Sequence, residues 1–186
     1  RVVFHRLVQR LEGEIKKFED VEGNLTQGVS FKNMELTNLA GFPEGTVLKI
    51  QKLDVFFDSF DIKKITVAIE NGRLSLPRSE PIVVTGNYAN QSLSLNVFSK
   101  TVDVRDVLVF SDNEAVRRVS GSVSDIDLYV TGPLEEVHVQ GDFKVDKITK
   151  SDFSLSESQG SLAVILRSPH GLGQDVTPDG YIVFKN

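Results

Sequence analysis

Asp125 and Asp127 flank Ile126, and a strand through them sets both carboxylates on one face. Paired carboxylates are the chemistry for holding Ca²⁺ or for acid–base work. Asp103 and Asp106 stand elsewhere, and no further cluster of oxygen ligands follows. The spacing therefore favours solvated outer-face residues over a site. His5, His138 and His170 are too few and too scattered for a metal centre. His138 alternates with Val137 and Val139, so it is expected to point to solvent. Gly171-Leu172-Gly173 lacks the third glycine and the strand–helix setting of a dinucleotide loop, and reads as a loop near a domain end. Asn24-Leu25-Thr26 and Asn90-Gln91-Ser92 match the glycosylation sequon, which matters only in a eukaryotic secretory setting. We expect no catalytic residue, no metal and no cofactor, and an enzyme ranks last among the functional classes.

The chain of 186 residues is long enough for one medium domain with a real core, or for two very small ones. Hydrophobic content is 40% and charged content 25%, as in ordinary folded proteins. A formal net charge of −5 argues against a nucleic-acid partner. With no cysteine, a disulfide framework and a thiolate zinc site are excluded. No apolar run is long enough to span a bilayer as a helix. The sequence starts at Arg1 without an initiator Met or a signal-peptide pattern. It reads as a segment of a longer chain, expected to follow a membrane anchor.

The elements that must position these residues are read from periodicity. Phe4, Leu7, Val8, Leu11, Ile15 and Phe18 recur at three- and four-residue steps, which predicts an amphipathic helix over Arg1 to Phe18. Such a helix packs on a core, or lies at a membrane interface with its basic residues outward. Glu12, Glu14 and Glu19 weaken the second role. After Gly23 the period becomes two, in runs such as Val29–Phe31, Leu53–Val55–Phe57, Leu93–Leu95–Val97 and Val137–Val139. Turn residues break these runs at Gly41-Phe42-Pro43, Asn71-Gly72, Pro77 to Pro81, Asp112-Asn113, Gly132-Pro133 and Ser168-Pro169. This is an antiparallel all-β signal. Parity slips from Val104 to Val107 and from Val145 to Ile148, the mark of β-bulges, and Gly86, Gly121 and Gly141 sit inside strands. The expected fold is mainly β: a curved, twisted antiparallel sheet, an open or taco-like groove, preceded by an N-terminal amphipathic helix. The helix occupies 1–22, and one all-β domain fills 23–186.

The stretch "VSGSVSDIDLYVTGPLEEVHVQGDFKVDKIT" carries Gly121, Leu128, Val130, Gly132, Leu134, Val139, Gly141 and Phe143. In that pattern it resembles the repeating unit of the AsmA-like and TamB-like periplasmic proteins. "EGNLTQGVSFKNMELTN", with Gly23, Leu25, Gly28, Val29, Phe31, Met34 and Leu36, is similar to the start of such domains. The resemblance covers both ends of the segment and, loosely, its middle. It rests on glycines and alternation, not on a catalytic signature. One departure is Glu136-Val137, where the family often has Pro. The resemblance implies a long curled sheet, open as a groove, on a protein anchored in the inner membrane and projecting into the periplasm. It further implies phospholipid carriage or support of outer-membrane assembly, with a phospholipid or other acyl-chain lipid and an outer-membrane assembly protein as partners. The N-terminal helix would supply membrane contact.

Without the family, an apolar sheet face must still be covered. A lining of Val, Leu, Ile and Phe accommodates acyl chains at about 0.8 kcal/mol per buried CH₂, without choosing among headgroups. The residues read as lining such a groove are Leu95, Val97, Val130, Val139, Phe143 and Val145. The other outcome of the same pattern is a sealed β-sandwich core, a structural module that pairs with a protein partner through its sheet edges.

Overall fold

The computed structural model describes residues 14–17, 19–24, 28–39, 42–57, 65–109, 114–151, 153–168 and 177–185. In chain order these form β1 (Glu14–Lys17), β2 (Asp20–Asn24), β3 (Gly28–Thr37), β4 (Val47–Phe57), β5 (Ile65–Ser75), β6 (Ile82–Ala89) and β7 (Ser92–Asp103). Two helical turns follow, α1 (Val104–Leu108) and α2 (Glu114–Arg117). Then come β8 (Ser120–Pro133), β9 (Glu136–Lys150), β10 (Phe153–Arg167) and β11 (Thr177–Lys185). All eleven strands belong to one antiparallel sheet, laid down in chain order and not closed into a barrel. The sealed sandwich therefore finds no second sheet among the described residues.

β1 and β2 lie end to end along the same edge of β3, opposite Glu35–Thr37 and Gly28–Lys32 respectively. This corrects the helix expected over 1–22. Residues 14–17 and 20–22 are strand, while residues 1–13 lie outside the described residues. The free backbone edge of β3 offers this segment a ladder, and ladder pairing outweighs a local helical period. The boundary drawn between 22 and 23 accordingly falls inside β2. Two further expectations are revised. Asn71-Gly72 is not a turn: β5 runs through it with a bulge, Asn71 taking φ 51° and donating to Gln51 Oε1 at 2.9 Å. The slip from Val104 to Val107 is not a bulge but α1. The slip from Val145 to Ile148 is a bulge against β8, since Ser122 pairs with Lys147 and Val123 with Val145, leaving Asp146 as the extra residue on β9.

Alternation splits the sheet into an apolar and a polar face. Among the described residues, a buried cluster covers one corner of the apolar face. There Leu39, in the β3–β4 connection, packs with Met34, Leu36 and Ile50, and Leu48, Leu53, Ile69 and Leu74 surround them. A second anchor ties α1 to the β5–β6 connection. Asp103 caps α1 by accepting from the Arg105 amide, and the fully buried Asp106 carboxylate accepts from the Arg78 amide at 2.8 Å and the Ser79 hydroxyl at 2.7 Å.

Candidate ligand-binding face

Residues directly opposite in an antiparallel pair share a face. Following register partners across the sheet gives one unbroken row: Val21, Phe31, Leu53, Ile69, Gly86, Leu95, Val130, Val139, Val164 and Gly180. A second row runs beside it from Met34 through Ile50, Gly72, Val84, Val97, Leu128, Gly141 and Leu162 to Ile182. A polar side chain occurs in neither row.

The sequence places the lining residues on the same face, and the structure brings them into these rows. Leu95, Val130 and Val139 sit in the first and Val97 in the second. Phe143 flanks them on β9, where its ring lies over Gly160 and meets Phe184 edge-on at 6.2 Å between centroids. All five are half-buried. Val145 is different: at 1% exposure it strengthens the wall rather than its accessible surface. Phe31, Leu53, Ile69 and Val164 escape sequence reasoning as lining, although alternation gives their parity. Which strands line up beside them depends on register, and register is set by bulges. Asn71 and Asp125 take φ of 51° and 46° at two of the register breaks.

The opposite face is laced by ion pairs between strands. Lys32 meets Glu22 at 2.7 Å, and Arg167 joins Glu136 at 3.1 Å to Asp179 at 2.9 Å. Arg167, with help from His138, holds the Glu136 carboxyl below its ordinary value, and Lys32 does the same to Glu22. The acids singled out for chemistry serve here as structure. Asp125 pairs with Lys144, which its carboxylate raises above the ordinary lysine value. Asp127 lies opposite Asp142, itself an acceptor from the Ser161 hydroxyl at 2.6 Å. Asp103 and Asp106 hold α1. His138 is exposed beside Glu136, while His5, His170 and Gly171 to Gly173 lie outside the described residues. Among the described residues, no three acidic or histidine side chains converge to hold a metal ion, and no helix is long and apolar enough to cross a membrane. Compared with protein-family models, with curated proteins and with solved structures, the chain has no match.

Proposed function

We propose that this chain is a non-enzymatic periplasmic domain whose apolar sheet face, curled into a groove, binds or conducts phospholipid or another acyl-chain lipid. In that reading it carries lipid between membranes or supports outer-membrane assembly, as part of a protein anchored in the inner membrane. One observation carries the proposal: the apolar row from Val21 to Gly180 crosses every position of the sheet, and no second layer covers most of it among the described residues. Contiguous apolar surface of that extent marks a binding surface. Ten strand positions at their usual spacing span about 43 Å, against about 15 Å for the acyl layer of one leaflet. A whole diacyl tail thus fits within the footprint, and it can shift along the row without meeting a polar side chain. The bulges at Asn71 and Asp125 support the curl, because a bulge adds twist and bends its strand. A phospholipid headgroup would stay at the mouth in solvent, which predicts weak headgroup selectivity.

Native mass spectrometry of the purified chain, before and after lipid extraction, tests the reading together with photo-crosslinkers. Probes at Val139 and Phe143 are expected to capture lipid, and probes at Gln140 and Tyr129 on the polar face are not. A chain that neither carries nor accepts phospholipid, or that captures it equally from both faces, would sink the proposal. The alternative, a structural module pairing with a protein through its edges, is favoured by the exposure of β11.

A further inference from the structure

Among the described residues β11 is the outermost strand of the sheet, and all nine of its residues are exposed. It pairs with β10 in unbroken register from Thr177 to Lys185. Tyr181, Ile182, Val183 and Phe184 are 65%, 54%, 44% and 45% exposed, so both faces of the strand are apolar and open. Its outer backbone groups face away from β10 and are a ready ladder for another strand. Natural edges of this kind are blunted by bulges or central charges, whereas here the charges Asp179 and Lys185 flank the apolar stretch.

We propose that β11 is a homodimerisation strand, in which two copies pair antiparallel about a two-fold axis at Ile182, normal to the sheet. Same-face residues must meet, so the choice of axis fixes every contact. With Ile182 opposite itself, Tyr181 meets Val183, Gly180 meets Phe184, and Asp179 meets Lys185 of the second copy. Every pair is complementary, and each occurs twice. The Gly180–Phe184 pair repeats a solution already present inside the sheet, where the Phe143 ring covers Gly160. An axis at Tyr181 would strand Asp179 against Val183. An axis at Val183 would leave Asp179 beyond the paired stretch and set Lys185 against Tyr181. Asp179 already takes Arg167 on Oδ2, and its carboxylate has capacity for a second cation. An axis normal to the sheet keeps the apolar rows of both copies on one side. The inference stands on the edge alone, so dimerisation and lipid binding hold or fail separately.

The absence of cysteine makes the test clean. Sedimentation velocity should show a monomer passing to a dimer between low and high micromolar concentration. Lys185→Asp should weaken the dimer at least about tenfold, and adding Asp179→Lys should restore it. Under mild oxidation Ile182→Cys should yield a disulfide-linked dimer, while Val183→Cys, two positions from its own copy, should not. A monomer at every concentration would overturn the proposal. So would a dimer indifferent to Lys185→Asp, or one in which the two cysteine variants crosslink alike.

Discussion

Gly121 shows how single positions shape this sheet. Its φ of 135° belongs to the region that side chains rarely enter, and a Cβ there would collide with the Lys147 carbonyl oxygen on β9. The Gly121→Ala variant must either give up that φ or push the β8–β9 ladder apart. We expect it to lose at least about 2 kcal/mol in urea unfolding, while a serine-to-alanine change at the exposed Ser154 costs almost nothing. Gly160 is needed for a different reason: its backbone is ordinary, and the missing side chain is the space that the Phe143 ring fills.

At the scale of elements, the corner built by α1 is the least exchangeable part. Asp106 is 0% exposed, satisfies the Arg78 amide and the Ser79 hydroxyl, and has the Arg78 guanidinium 3.5 Å from its other oxygen. Asp106→Ala leaves those donors without their acceptor. The expected cost is about 1–3 kcal/mol, with faster amide exchange at Arg78 and Ser79 as the local readout. Much of this level was legible in the sequence. Period-two runs mark β3 to β10, and the extra residue between Val145 and Ile148 marks the bulge of β9 against β8. α1 was misread because Val102, Val104, Val107 and Val109 look like one slipped strand. The overlooked signal was Asp103, a good N-cap placed two residues before an arginine whose amide it accepts. The β1–β2 segment was misread because Ile15 fits a helical stripe as well as a strand, and only the edge of β3 decides between them. The lining rows were half legible: parity assigns Val130 and Val139 to a face, but the alignment with Phe31 and Leu53 is set by strands far away in sequence.

At the scale of the whole molecule, the ion pairs of the described strands lie on the face opposite the apolar rows and at the margins, and they set the response to pH. Arg105 holds the Asp103 carboxyl below its ordinary value against some burial, as Arg167 does for Glu136 and Lys32 for Glu22. Groups depressed in the folded state contribute stability above their unfolded values and lose it as pH falls through the folded ones. Lys32 and Lys144 are raised by their carboxylate partners, so their contribution is complete below the ordinary lysine value and fades as pH rises through the raised one. Stability to urea should therefore be flat through neutral pH, then fall below pH of about 4 and again above about 10.5. Because these groups are at the surface, salt should flatten both arms, and a midpoint that peaks sharply near neutrality would contradict this account.

The chain-order layout of the sheet also governs how it answers to force. β1 and β11 lie at opposite edges, so tension between them acts across the strands, along the inter-strand hydrogen bonds. Such a load opens bonds one after another from a strand end and peels the outermost strand first. No strand has to slide past its neighbour with all its bonds loaded at once. The sheet is thus a mechanically soft ribbon in one direction and a stiff one along its strands, and stretched edge to edge it would lengthen in strand-sized steps rather than break as a unit.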